Sequence, residues 1–279
     1  MMIDQSNDLA GLSKLKGLII DLDGVLWHGD IPLPGLHKFF NVLKKRGIRF
    51  VLATNNNTQR PEGFVQKARS MGIDIQVDQV VNAAVATAQY LRLNYPPGSR
   101  IYVVGEAALK DLICEAGLKL ADTDVRAVVV TLDRKLTYEM LKRATLLIRA
   151  GADFIGPNPD TSYPTPEGMV PGGGAVLAAV SASTDRQPLI MGKPEGWIFD
   201  LSMKRMQLGP EVIASLGDRL NTDIVGGQRS GMKTILVLSG VSTREDLSTS
   251  LIQPTWVFSG IEEISRVLDS LPIGPEGQV

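Results

Sequence analysis

The chain has 279 residues, with 29 lysines and arginines against 30 aspartates and glutamates, a formal net charge of −1 and an isoelectric point of about 6.2. That balance offers no broad basic surface, so neither nucleic acid nor an anionic membrane is an expected partner, and any phosphate must be held by a local site. With 44% hydrophobic and 21% charged residues, the composition is that of a soluble globular protein able to bury a sizeable core, in two domains or one large one.

The opening MMIDQSNDLAG has neither the basic nor the apolar region of a signal peptide. No apolar run approaches 18 residues, so no membrane span is expected and the expected location is cytoplasmic. The first strand is expected over Leu18–Leu22. It runs into Asp21 and Asp23, two carboxylates one residue apart. A loop with Pro32, Pro34 and Gly35 then leads to a helix over Leu36–Arg46. IRFVLA at 48–53 predicts the next strand, and TNNNTQRPEGF a polar strand-to-helix loop before a helix near Glu62–Met71. Cys114, the single cysteine, excludes an internal disulfide. It stands at a helical apolar position in KDLICEAGL and is expected in the core.

Further strands are expected at 100–105, 126–132, 153–156, 212–217, 234–240 and 255–260, with helices over Thr137–Arg149 and Trp197–Met206 between them. Strands alternating with helices in this way predict an α/β protein with a mainly parallel sheet. GGQRSGMKT at 226–234 nearly spells a phosphate-binding P-loop, but Met232 holds the lysine position and the order is helix, turn, strand, so Gly231 reads as a helix C-cap. The tail after Leu271, PIGPEGQV, is expected to fray.

In open α/β sheets, ligands sit beyond the carboxyl ends of the strands. Three such ends carry polar residues suited to chemistry: Asp21 and Asp23, then Thr54, Asn55 and Asn56, then Asp218. GKP at 192–194 adds Lys193, and GDRLNTDI at 217–224 adds Asp223. Each segment alone has a plainer reading, as a turn, a helix cap, a surface lysine or a capped helix start. Together they suit a divalent cation. Mg²⁺ takes hard oxygen ligands, one or two carboxylates with phosphate and water, and Asp21 and Asp218 supply such carboxylates. The ion and Lys193 offset the repulsion among the acids and attract an anionic substrate.

DLDGVLW, TNN, GKP and GDRLNTDI resemble, in this order, the four motifs of the haloacid dehalogenase superfamily of phosphohydrolases. The likeness runs from about residue 16 to 260 and points to the branch of p-nitrophenyl phosphatases, nucleotide monophosphatases and phosphoglycolate phosphatases. It implies a doubly wound, Rossmann-like core over 1–80 and 188–279, with a smaller α/β cap inserted at 81–187.

It also implies a Mg²⁺-dependent phosphomonoesterase acting on a small phosphorylated metabolite. In that reading Asp21 is the nucleophile that forms an aspartyl-phosphate, and Asp23 is the general acid and then the base. With an ordinary pKa of about 3.9, Asp23 would be protonated in only about 1 molecule in 1,000 at pH 7, so bound phosphate and Asp21 are expected to raise it. The Thr54 hydroxyl and Asn55 backbone amide hold phosphoryl oxygens, and Lys193 balances charge. Asp21, the Asp23 carbonyl and Asp218 ligate the metal, with Asp223 acting directly or through water. Asn56 contacts substrate or orients the cap.

Within the cap, NPDTSYPTPEG (158–168) is a candidate specificity loop through Asp160 and Tyr163, and the glycines at 172–174 read as a tight turn into a helix. Thr131 and Asn82 depart from the family pattern, where Gly and Thr or Ser are usual. His28 and His37 match no motif and read as structural. A homodimer is compatible with the sequence. The alternative to an enzyme is a catalytically silent or phospho-accepting regulatory protein.

Overall fold

The computed structural model describes residues 9–165 and 167–272; the expected frayed tail falls largely outside them. The chain divides into two compact units. One comprises Met1–Ala53, Phe64–Val80 and Phe199–Val279, the other Thr54–Gly63 and Val81–Ile198. Among the described residues, no helix is long and apolar enough to cross a membrane.

The first unit holds most of a six-stranded sheet; residues 54 and 81–82, which end two of its strands, count with the second unit. In spatial order the strands of this sheet are Trp256–Phe258, Lys233–Val237, Ile213–Gly217, Gly17–Ile20, Arg49–Thr54 and Val80–Asn82. The five from Trp256–Phe258 to Arg49–Thr54 pair in parallel. GLII at 17–20 is buried throughout and ASLG at 214–217 likewise, as expected of central parallel strands covered on both faces.

From the first strand the chain winds outward to one side, through Arg49–Thr54, and later returns to build the other side. The reversal falls between Gly17–Ile20 and Ile213–Gly217, where such folds open a crevice at the carboxyl ends. The helix Leu36–Lys45 turns Leu36, Phe39, Val42 and Leu43 inward, a helical repeat, and leaves Lys44 and Lys45 at its C-terminus, where positive charge is favoured. It packs beside Ile261–Ser270. There Arg46 donates to the carbonyls of Leu268 and Leu271 at 2.7 and 2.9 Å, satisfying the end of that helix.

The second unit has a five-stranded parallel sheet in the order Leu189–Ile190, Asp153–Gly156, Ala127–Val130, Arg100–Val104 and Lys119–Leu120. One apolar cluster lies around Ala84, Leu91, Leu109 and Ile113, and another around Val128, Ile148, Phe154 and Val180. Asn82 accepts from Val85 N at 2.9 Å and so caps the helix Ala83–Asn94, the job that Thr or Ser would also do.

Two expectations need correction. Cys114 is exposed. It lies on the helix Ala107–Glu115 as read, but the buried face is Leu109 and Ile113, and the next residue is rotated about 100° away from it. The candidate specificity loop at 158–168 is not all loop: Ser162–Thr165 pairs antiparallel with Gly168–Pro171 in a hairpin.

Candidate active site and metal centre

The carboxylates of Asp21, Asp218 and Asp223 converge in the first unit, each offering an oxygen within 4.8 Å of the others. Strand register explains the first two. Ile20 stands opposite Leu216, and the Asp21 N–H continues the ladder to Leu216 O at 2.8 Å, so Asp21 is fixed beside the strand end that bears Asp218. Asp223 arrives by another route. Leu220–Ile224 forms a π-helical turn, a rare wide turn that recurs at functional sites, and it carries the side chain back against Gly217.

Glycines leave the space these carboxylates occupy. A Cβ at Gly240 would lie 2.5 Å from both Cβ and Cγ of Asp218, one at Gly24 would lie 2.8 Å from its Cγ, and one at Gly217 would collide with Asp223. Backbone groups hold what the cradle admits. Val241 N donates to Asp218 Oδ2 at 2.7 Å and Ser242 N to Asp218 O at 2.9 Å. Thr222 Oγ1 and Arg219 N donate to Asp223 Oδ2 at 3.2 and 3.3 Å. Asp218 and Asp223 are each 1% exposed. Three clustered acids repel one another unless a cation or proton intervenes, and an all-oxygen set suits a hard divalent ion. The residues therefore fit a metal.

Asp23 is exposed and is not one of the three clustered carboxylates. Asp23-Gly24 is not a hairpin turn. Gly24 has φ +85° and donates to Trp27 O at 2.9 Å, while the small hairpin that follows pairs Trp27–His28 with Ile31–Pro32. His28 Nε2 is hydrogen-bonded to the Ser239 carbonyl at 2.8 Å, a structural contact.

In the second unit, Thr54, Asn55 and Lys193 gather around one backbone junction. Thr54 closes its strand, and its hydroxyl oxygen accepts from Asn56 N at 3.1 Å. Lys193 is 3% exposed, so it is not a solvated surface lysine. Its N–H donates to Asn55 Oδ1 at 2.7 Å, and Asn55 Nδ2 donates to its carbonyl at 3.0 Å. The same Nδ2 lies 3.4 Å from both Asp160 carboxylate oxygens. The Asn56 side chain turns into its own loop, accepting from Thr58 N and Thr58 Oγ1 at 3.1 and 2.8 Å.

Sequence reasoning did not single out Asn57. It is buried and donates to Thr131 Oγ1 at 2.7 Å, which gives the unusual threonine a partner. Glycines 172–174 form a packing turn. Gly172 N and Gly174 N bond to the carbonyls of Thr161 and Asp160 at 2.9 and 2.8 Å, so these amides serve the neighbouring loop.

The family profile described as haloacid dehalogenase-like hydrolase matches residues 18–119, and one described as HAD-hydrolase-like matches 190–264. An acid sugar phosphatase of Staphylococcus aureus is 40% identical over 259 residues, 92% of this chain and all of that one. Among solved structures, a 4-nitrophenylphosphatase from Thermotoga maritima superposes with a TM-score of 0.88 at 36% identity, covering 92% of this chain and 98% of the other. A glycerol phosphate phosphatase from Mycobacterium tuberculosis, solved in complex with magnesium, gives 0.84 at 28% identity, covering 91% and 76%.

Proposed function

Because the chain belongs to the haloacid dehalogenase-like hydrolases and is a phosphatase, we propose that it hydrolyses phosphomonoesters of small metabolites through an aspartyl-phosphate on Asp21. A carboxylate oxygen of Asp21 attacks phosphorus while the bond to the leaving oxygen breaks. Asp23 delivers a proton to that oxygen, then takes one from the water that attacks the phosphoryl group, releasing phosphate and Asp21. The Thr54 hydroxyl and Asn55 backbone amide hold phosphoryl oxygens. Lys193 balances their charge. Asn56 keeps the shape of the loop that presents them. The inserted segment 81–187 does the work of a cap, excluding water and meeting the leaving group.

Mg²⁺ is the proposed ion. Asp21, the Asp23 carbonyl and Asp218 would hold it, Asp223 directly or through water, and it would neutralise the clustered carboxylates and the phosphoryl oxygens. The observation that carries this reading is the convergence of Asp21 and Asp218, at adjacent strand ends, with Asp223 from the π-helical turn. The names of the relatives make sugar and polyol phosphates the first substrates to try.

The test is phosphate release from p-nitrophenyl phosphate with and without Mg²⁺, beside Asp21→Asn. Metal-dependent turnover that the substitution abolishes is expected. A silent or regulatory protein would release no phosphate, and turnover that survives Asp21→Asn would overturn the assignment of the nucleophile. A panel of sugar phosphates, glycerol phosphate, nucleotides and phosphoglycolate then ranks the substrates.

A further inference from the structure

Asn55 is 6% exposed, and its side chain is used up inside the protein. A primary amide has one carbonyl oxygen and two N–H bonds. Oδ1 receives the Lys193 N–H at 2.7 Å, and Nδ2 faces the Lys193 carbonyl at 3.0 Å and the Asp160 carboxylate at 3.4 Å. No N–H remains for a substrate. The amide grips both backbone polar groups of one residue, as a neighbouring strand would. Only Asn, of side chains this short, carries the donor and acceptor needed for that two-point grip.

The surroundings are shaped for it. A Cβ at Gly192 would come within 2.5 Å of Asn55 Oδ1 and 2.6 Å of Pro157 O, so the lysine segment can approach the amide only because position 192 is glycine. Asp160, the third partner, is anchored by its own backbone. Its N–H donates to Asn158 Oδ1 at 2.8 Å and its carbonyl accepts from Gly174 N at 2.8 Å.

We propose that Asn55 is a positioning residue that sets the Lys193 main chain, and through it the ammonium, for phosphoryl transfer, and that Asp160 holds the Asn55 amide in the required orientation. This rests on the charge-balancing role proposed for Lys193. It is separate from the part proposed for the Asn55 backbone amide, which every substitution except proline retains.

A double-mutant cycle on kcat and KM for p-nitrophenyl phosphate, with inorganic phosphate as competitive inhibitor, tests the proposal in the full chain. Asn55→Ala is expected to lower kcat about 10²-fold, the scale of a misplaced catalytic group, and to weaken phosphate inhibition. The Mg²⁺ concentration for half-activation should stay where it was. In the Lys193→Ala background the same substitution should add less than about twofold, since residues acting through one another are not additive. Full additivity would overturn the proposal.

If Lys193→Ala leaves kcat and phosphate inhibition unchanged, the role of the lysine fails and this inference fails with it. If Lys193→Ala is damaging and Asn55→Ala is harmless, only the inference fails. Should Asn55→Ala not fold, Asn55→Asp is nearly isosteric and keeps the acceptor for Lys193 N. It is expected to lose kcat through carboxylate repulsion and to recover part of it when combined with Asp160→Asn. Absence of that recovery would overturn the part assigned to Asp160.

Discussion

Gly240→Ala puts a methyl group against the buried Asp218 and nothing else is asked of the chain, because the backbone at 240 lies outside the left-handed region. The new Cβ would sit 2.5 Å from Cβ and Cγ of Asp218, roughly 1 Å inside ordinary contact. Asp218 is 1% exposed and has no solvent to retreat into. The carboxylate must shift by about 1 Å, which strains the packing by about 1–3 kcal/mol. The shift also weakens the 2.7 Å bond from Val241 N, a charge-assisted hydrogen bond of about 1.5–3 kcal/mol. A loss near 3 kcal/mol lowers the melting temperature by roughly 6–12 °C for a protein of this size.

The same shift should damage metal binding more specifically. Mg²⁺ demands near-octahedral oxygen ligands at about 2.0–2.1 Å, so a ligand displaced by about 1 Å no longer reaches it. The Mg²⁺ concentration for half-maximal hydrolysis of p-nitrophenyl phosphate is expected to rise at least tenfold, a change of about 1.4 kcal/mol. The melting-temperature increase on adding Mg²⁺ should shrink with it. Gly260→Ala is the control: its Cβ would meet Ser239 at 3.7 Å, an ordinary contact. A Gly240→Ala protein that melts early yet responds to Mg²⁺ at the wild-type concentration would remove Asp218 from the metal site. One that melts normally would refute the steric reasoning itself.

Thr131→Val keeps the volume but removes the acceptor for the buried Asn57 amide; a loss of about 1–3 kcal/mol is expected from the urea midpoint, and no change would mean that Asn57 finds another partner. Glu263 accepts from Ser259 N at 2.6 Å and Ser259 Oγ at 2.7 Å, and the Ser259 backbone bond leads the causes that hold its carboxyl below the usual range, Ser259 Oγ, Arg266 and Arg244 adding to it. Its stabilisation is therefore present above the unfolded carboxyl pKa and is lost as pH falls through the folded one. Glu263→Gln should cost about 1 kcal/mol at pH 7, allowing for partial exposure, and the gap in melting temperature should close as pH falls below the usual carboxylate range; a gap constant with pH would contradict this. Cys114, being exposed, should react with a disulfide reagent as completely in the native protein as in urea, and a protected thiol would return it to the core.

The sheet could be read in the sequence because its strands are short apolar runs buried on both faces; DFIG at 153–156 is a strand over those very residues. The hairpin of Ser162–Thr165 with Gly168–Pro171 could not, because its sequence carries Pro164, which removes a donor, and proline argues against pairing. Cys114 was misplaced by a single helical step. Of the proposed site residues, Asp21, Asp218 and Lys193 are visible in the sequence as polar residues ending or following apolar runs. The grip of Asn55 is not, because its partners Asp160 and Lys193 lie 105 and 138 residues away and no local pattern joins them. The π-helical turn that brings back Asp223 is likewise invisible, since the same spacing also reads as a plain helix start.

One residue of spacing gives Asp21 and Asp23 different physical situations, and this makes their substitutions distinguishable without an activity assay. Asp21 continues the strand ladder to Leu216 and shares a cluster with Asp218 and Asp223. Asp23 has left the ladder and is exposed. Asp21→Asn removes one of the three carboxylates of that cluster. The rise in melting temperature on adding Mg²⁺ should therefore be smaller than that of wild type, because a charged ligand is gone. Asp23→Asn changes no charge in the cluster and keeps the backbone carbonyl, so both its metal-free melting temperature and its Mg²⁺ response should stay close to wild type even as turnover falls. If Asp23→Asn suppresses the Mg²⁺ response as strongly as Asp21→Asn, its carboxylate is a ligand, and the division of labour between nucleophile and proton carrier is wrong.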